Sequence, residues 1–584
     1  MDDHHHPLGA HADGPTTRFG AYVTAAQTCA VRLYPTDGRA TTHPMRPRGG
    51  GYFELATGDA PPGTLYRFVL DGRELPDPYA RFLPRGVHGP AMVTRAAHAW
   101  RHPPVRRPLA GQVIYELHVG AFTPEGTYAA AAERLAELAA LGVTTLELMP
   151  LAAFAGERGW GYDGVALFAP HAPYGAPDEL RAFVDAAHGH GLGVLLDVVY
   201  NHLGPAGNYL SAYSADYFTS AARNAWGDAP DFALPAMRSL VLANARYWLE
   251  EFCFDGLRLD AVHALVDPSP RHVVAELTAA AHALDPGIVI IGEDDRNDAS
   301  LVAAGLDGLW ADDFHHALHV ALTGERDGYY GAYSPGAAEV ARAIDRGWIF
   351  EGQAYGTSGR PRGTDASALP ASAFVYCLQN HDQVGNRALG ERLTADVPLD
   401  AWCAASAVLL FLPMTPLLFM GQEWAASTPF RYFTDHEPEL GALVTAGRRE
   451  EFKHFRAFSD PAAAARIPDP QAAETFARSR LRWDERGAEP HARVLALYRA
   501  LLALRRADPV LREATRAGLA ADAAGPVLRV RREHGGDARV LLANLSDTPV
   551  DVGALLPAGA AVLLTSGAPL AADVLAPWTA VIVG

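Results

Sequence analysis

Over the first hundred residues, apolar and polar side chains alternate in short runs at 18–23, 30–34, 51–55 and 65–70, with glycine, proline and aspartate between them. A period of two broken by turn residues predicts a small all-β sandwich, because successive side chains of a strand face opposite sides of its sheet. Pro103, Pro104 and Pro108 mark the linker that ends it. From residue 112 the rhythm changes. Strand-like runs at 112–118, 143–149 and 193–200 alternate with helical patterns at 128–141 and 178–190. Further strands are expected at 256–260, 288–292, 308–310, 374–378 and 417–420. Nearly continuous apolar strands separated by helices imply parallel pairing with both sheet faces covered. Eight such units predict a closed barrel rather than an open sheet. After a helix at 492–506, alternating runs return at 527–531, 539–544, 561–564 and 579–583.

The expected fold is therefore α/β, a (β/α)8 TIM barrel flanked by two β-domains. The boundaries fall at 1–102 for an Ig-like, glucan-binding-like β-sandwich with disordered first residues, and 103–490 for the barrel. A short excursion follows the third strand, at about 203–235, and a linking helix with a C-terminal β-domain occupies 491–584.

Composition narrows the function. With 49% hydrophobic and 20% charged residues, the chain has ample material for a large core. Its formal net charge of −18 repels phosphate backbones and anionic lipid, so neither nucleic acid nor membrane is expected as a partner. Lys453 is the single lysine among 49 basic residues, a bias spread along the whole chain and read as genomic. Cys29, Cys253, Cys377 and Cys403 lack metal or redox spacing and read as thiols of a reducing, cytoplasmic compartment. No signal peptide is visible, and the His4–His6 tract reads as a disordered end. The uncharged stretch 401–420 is long enough to cross a bilayer. Pro413 and Pro416 interrupt it, so a buried helix (402–412) leading into a buried strand (417–420) is expected instead.

In such a barrel, chemistry gathers at the carboxyl ends of the strands. The third strand ends in Asp197-Val198-Val199-Tyr200-Asn201-His202 and the fourth in Arg258-Leu259-Asp260-Ala261-Val262-His263. The fifth ends in Gly292-Glu293-Asp294, and the seventh in Gln379-Asn380-His381-Asp382. Two carboxylates facing each other at one rim can cleave a glycosidic bond, one attacking the anomeric carbon while the other protonates the leaving oxygen. Arg258, two residues before Asp260, shares its face and keeps it ionised for attack. Glu293, crowded by that charge, is suited to hold a proton. His202, His263 and His381 can hydrogen-bond sugar hydroxyls. A lone aspartate at a strand end is more often a helix cap than a catalyst, and Asp197 reads equally as a support for Arg258 or for the loop. The set as a whole is hard to assign to capping.

These four segments resemble, in order and spacing, the short conserved regions of the α-amylase (family 13) glycoside hydrolases, and the resemblance covers the barrel and both flanking domains. It implies Asp260 as nucleophile, Glu293 as general acid/base and Asp382 as transition-state stabiliser. Arg258, His202 and His381 become their partners, and Tyr162 of Trp160-Gly161-Tyr162-Asp163 is placed under the sugar whose bond is cut. A retaining mechanism is implied, with no cofactor. The N-terminal module is similar to that of the branching, debranching and trehalose-forming members. The segments from Trp310 to Tyr330, 379–387 and 421–436 resemble members that release trehalose from maltooligosyl trehalose. That likeness implies Asp313, His315 and Gln383 as further substrate contacts, beside Trp160 and His263. It implies maltooligosaccharides as ligands and a synthase that makes the substrate as pathway partner. A branching enzyme that transfers glucan from α-1,4 to α-1,6 linkage, and a non-catalytic glucan-binding protein, remain as alternatives.

A metal is not expected. His315 and His319 stand one helical turn apart beside Asp312 and Asp313, as a zinc helix has them, but sugar contacts or packing fit better after a barrel strand. Asn201 matches a calcium position of many amylases, yet 203–235 shows no clustered oxygen ligands. Trp226 and Trp310 are read at even odds as stacking platforms or core anchors.

Overall fold

The computed structural model describes residues 7–36, 38–95, 98–224, 227–356, 359–452 and 465–584. The His4–His6 tract, Trp226 and Lys453 lie outside the described residues. In the N-terminal module, Thr16–Tyr22 pairs with Gly9–Asp13 and Tyr52–Thr57, and Arg46–Gly49 completes a four-stranded sheet. A second sheet runs Thr41–Pro44, Cys29–Tyr34, Leu65–Leu70, Arg73–Leu75, with Ala91–Met92 also beside Leu65–Leu70. Alternate residues of these strands are buried. Val31, Leu33, Tyr66 and Phe68 thus meet Phe19 of the other sheet, the Phe19 and Tyr66 rings lying 5.0 Å apart.

Eight parallel strands form the closed barrel: β1 (Ile114–Leu117), β2 (Thr145–Leu148), β3 (Gly193–Val198), β4 (Gly256–Leu259), β5 (Val289–Glu293), β6 (Gly308–Trp310), β7 (Phe374–Cys377) and β8 (Thr415–Phe419). Pairing of β8 with β1 closes the ring. Two details depart from the sequence pattern. The helix expected over 128–141 is two helices, Tyr128–Ala132 and Leu135–Leu141, and the break turns Arg134 onto the Trp483 indole, 4.6 Å from its centroid. β8 starts ahead of Pro416, because a strand's entry tolerates a residue without an N–H.

The C-terminal module is a five-stranded sheet in the order Ala520–Ala524, Val527–His534, Asp537–Asn544, Ala580–Val583, Val562–Thr565. Ala520–Ala524 was invisible to patterning, since alanine and aspartate give little apolar contrast. Three helices matter below: α1 (Asp312–Thr323), α2 (Leu399–Phe411) and α3 (His491–Ala507). α2 is buried from Ala401 to Phe411, sharing one core with β8, α3 and the C-terminal sheet. The long uncharged stretch is explained by this burial on every side. Among the described residues, no helix is long and apolar enough to cross a membrane.

α2 ends inside the protein, where water cannot satisfy its last carbonyls. Arg505 of α3 takes over that role: Nη1 donates to Leu410 O (3.0 Å) and Leu412 O, and Nη2 to Met414 O (3.0 Å). Arg532 donates to Phe411 O at 2.7 Å. Replacing Arg505 by Met leaves three buried acceptors without donors, at about 1–3 kcal/mol each before relaxation. Arg505→Met is therefore expected to lower the apparent melting temperature by several degrees, and an unchanged melt shows that these carbonyls find other donors.

Candidate active site

Alternation along the barrel strands sorts the interior into layers. Ile114, Leu195, Val289, Ile291, Val375, Cys377 and Leu417 form an apolar plug. One step nearer the carboxyl ends the inward positions turn polar: Glu116 on β1, Glu147 on β2, Asp197 on β3, Arg258 on β4 and Glu293 on β5. Register sets neighbours, with Glu116 opposite Glu147 and Asp197 opposite Arg258. Glu116, Glu147, Asp197 and Arg258 are fully buried.

Arg258 is the hub. Its Nη1 donates to both oxygens of Asp197 (2.9 and 2.8 Å) and to Oδ1 of Asp260 (3.0 Å), while Nη2 lies 2.9 Å from Oε2 of Glu293. The guanidinium rests on the Trp310 ring, 4.1 Å from its centroid. Burial pushes the Asp197 carboxyl up to about 7, against the pull of Arg258. Asp260 accepts a second hydrogen bond from Nδ2 of Asn201 at 2.7 Å. Immediately after it, Ala261 takes φ +40°, a left-handed conformation that costs a non-glycine residue about 1–2 kcal/mol. The strain aims the Ala261 N–H at Oε2 of Glu293, 2.8 Å away.

Asp382 joins from across the rim. Asn380 caps the short helix His381–Gly385 by accepting the Gln383 N–H, which sets Asp382 in its first turn. His381 Nε2 lies 3.5 Å from Asp382 Oδ1 and 2.7 Å from the Tyr162 hydroxyl, which donates to Asp197 Oδ2 at 2.6 Å. The Tyr162 and His381 rings stack at 5.1 Å. Burial disfavours a charged imidazole, yet Asp382 and Glu116 outweigh it and hold His381 up to about 10.

Asp260, Glu293, Asp382, Arg258, Tyr162 and His381 are thus brought into one connected group. His202 stands beside them, its Nδ1 on Asn201 and its Nε2 on the Tyr162 carbonyl (2.8 Å). Trp160 stands behind the site: its ring stacks on Phe430, meets His381 edge-on and donates Nε1–H to Arg431 O. A Cβ on Gly385 would come within 2.1 Å of this indole. His263 and Gln383 sit half-buried at the rim, near Asp295 and Tyr329 respectively.

Two expected contacts are not delivered. Asp313 is fully buried, with its oxygens taken by Tyr333, Asn297, the Ile349 and Phe350 amides and Arg362. His315 is buried with its ring nitrogens on Leu378 O and the Tyr330 hydroxyl, and His319 is held by Glu325. The half-buried Asp312, one position earlier on α1, feels Glu293 and Asp382; burial first, then these charges, push it up to about 7. His263, Asp294 and Asp295 bring ligand atoms within 4.8 Å of one another, but Asp294 already holds Arg296 and the Asp298 amide. Sequence reasoning missed Glu116 and Glu147 altogether. The signal was there: Tyr115-Glu116-Leu117 and Leu146-Glu147-Leu148 each set an acid inside an apolar barrel strand.

Residues 7–80 match the carbohydrate-binding module 48 (isoamylase N-terminal domain), 94–235 the alpha amylase catalytic domain, and 514–582 a domain of unknown function, DUF3459. The malto-oligosyltrehalose trehalohydrolase of Deinococcus radiodurans is 52% identical over 91% of this chain and 88% of its own. That of Rhizobium sp. is 44% identical over 87% of each. A Salmonella typhimurium protein assigned as an alpha amylase superposes with a TM-score of 0.91 at 37% identity, covering 99% of each chain.

Burial, with help from His319, pushes His315 down to about 3. The unfolded imidazole titrates near about 6.5, so as pH falls from there toward 3 the unfolded chain binds a proton that the folded one refuses. Stability is present above that window and lost within it. His315→Asn, which keeps a donor for Leu378 O, should flatten the melting temperature against pH, recovering about 3 kcal/mol at pH 4.5 relative to wild type. An equally steep profile removes His315 as a contributor.

Proposed function

The chain belongs to the malto-oligosyltrehalose trehalohydrolases, glycosidases of the α-amylase family, and on that premise we propose that it cleaves the α-1,4-glucosidic bond next to the terminal trehalose of maltooligosyl trehalose. Trehalose and a maltooligosaccharide are released. The observation that carries this reading is the shared fork of Arg258, which seats Asp260 and Glu293 side by side at the barrel rim.

Asp260 Oδ attacks the anomeric carbon of the last maltooligosyl glucose, and the carbon–oxygen bond to trehalose breaks. Glu293 gives its proton to the departing oxygen, so trehalose leaves as an alcohol and the glucan stays on Asp260 as an ester. Water then attacks the same carbon, passes its proton to Glu293 and frees Asp260. Two inversions retain the α configuration. Asp382 and His381 hold the sugar as it flattens toward the oxocarbenium-like transition state. Arg258 spreads its charge over Asp197, Asp260 and Glu293 throughout and supports the orientation of Asp260 for attack. Tyr162, His202 and the rim residues His263 and Gln383 are the remaining sugar contacts in this reading, with Trp160 as the wall behind them. The free thiols of Cys29, Cys253, Cys377 and Cys403 support a reducing, cytoplasmic setting. A synthase that builds maltooligosyl trehalose from maltodextrin is the pathway partner that this activity requires.

With maltooligosyl trehalose as substrate, wild-type protein should yield free trehalose; new α-1,6 linkages without trehalose would instead favour glucan transfer. Asp260→Asn should lower kcat by at least about 10³-fold while leaving substrate binding measurable, and an unchanged kcat removes Asp260 as nucleophile. Glu293→Gln should be slow on the natural substrate but recover about tenfold or more with a nitrophenyl leaving group, which needs little protonation. Equal slowing on both substrates refutes an acid role.

A further inference from the structure

Resting on the glycosidase reading, we propose that Glu116 is a positioning residue that clamps His381 as an imidazolium at the edge of the sugar pocket and thereby fixes the direction of a hydrogen-bond chain ending at Arg258.

The geometry is a two-point grip. Glu116 Oε2 accepts the backbone N–H of His381 at 2.9 Å, while Oε1 accepts from Nδ1 of the same residue. One carboxylate thus holds both the main chain and the ring. Both residues are buried, Glu116 1% and His381 1% exposed. A carboxylate so far from water requires a cation, and the ring it touches is the nearest group able to supply one.

The other groups around His381 fit this assignment. Next to Glu116, on β2, Glu147 lies in register with no hydrogen-bond partner for either oxygen. Burial, then the charge of Glu116, raises its carboxyl well above the usual range, so Glu147 is the neutral member of the pair. Asp197 on β3 and Asp382 beside the ring favour the imidazolium, and Arg258 on β4 opposes it. His118, past the end of β1, is kept neutral by burial, pushed down to about 4. Its Nε2 is occupied by Gly159 O at 2.9 Å.

Direction is the consequence. A ring protonated on both nitrogens can only donate from Nε2, so the Tyr162 oxygen must accept. Tyr162 then has one place for its own proton, Asp197 Oδ2 at 2.6 Å, and Asp197 in turn holds Arg258 Nη1 at 2.8 Å. With a neutral ring, Nε2 becomes an acceptor that competes with Asp197 for the Tyr162 proton. Glu116 is linked to the sugar pocket through His381.

The test is histidine-15N NMR of the full-length enzyme, with the His381 ring signal identified by its loss in His381→Gln. The wild-type ring should stay protonated through pH 9. In Glu116→Gln its titration should move down by about 1–3 units. Over the same range kcat should fall with KM little changed, and the ratio of variant to wild-type kcat should drop about tenfold between pH 6 and pH 9. Glu147→Gln, which replaces a carboxyl already neutral, should leave the His381 titration in place. The proposal is overturned by a wild-type ring that titrates near about 6.5, by an unmoved titration in Glu116→Gln, or by a rate ratio independent of pH. Should Glu116→Gln fail to fold, the wild-type titration decides alone. Absence of trehalose from wild-type reactions would sink the hydrolase reading, while the ring titration would still report on the clamp.

Discussion

Everything at the carboxyl end of the barrel depends on one buried guanidinium. Arg258 is 0% exposed, and three carboxylates converge on its two terminal nitrogens. Withdrawing that many charges from water is costly, and the cost is offset only when each has a short, well-directed partner. Arginine suits the task because its planar fork offers fixed donors and stays charged when buried. The Trp310 face beneath completes the seat. Remove the arginine, and the carboxylates of Asp197, Asp260 and Glu293 would lose the one cation they share.

From that centre the site divides into a charged half and a hydrogen-bonded half. On the Arg258 side, Asp260 and Glu293 each lie within 3.0 Å of its guanidinium, with the Ala261 amide on Glu293 and the Asn201 amide on Asp260. On the other side, Glu116, His381, Tyr162 and Asp197 form a line of short contacts that returns to Arg258. The apolar plug below excludes water from underneath. Electrostatic interactions are therefore strong here, and burial together with the charge of Glu116 raises the carboxyl of the unpartnered Glu147 well above the usual range.

Much of this was legible in the chain. The change from period-two runs to alternating strands and helices announced a closed barrel, and the offset of each polar cluster from its strand pointed to one rim. The α-amylase resemblance of Arg258-Leu259-Asp260, Gly292-Glu293 and Asn380-His381-Asp382 assigned roles that spacing alone left open. Beside Asp382, the helix cap is Asn380 and not an aspartate. At α1 the sequence misled by a single position. Asp312 and Asp313 are adjacent and alike, but a helix turns about 100° per residue, so one faces the cleft and the other the core.

What the sequence determined by itself is periodicity: which residues alternate, where strands end, and so which acids stand at the barrel mouth. That information is local, because burial of one face per element is written into neighbouring residues. Tertiary structure alone decided which charge meets which. Glu116 and His381 are 265 positions apart, and only closure of the ring through β8 brings the Glu116 carboxylate of β1 to the segment that follows β7. The juxtaposition of Glu116 and Glu147, the sharing of Arg258 and the burial of Asp313 arise from the register of a closed ring and the dielectric inside it. No run of consecutive residues contains either one.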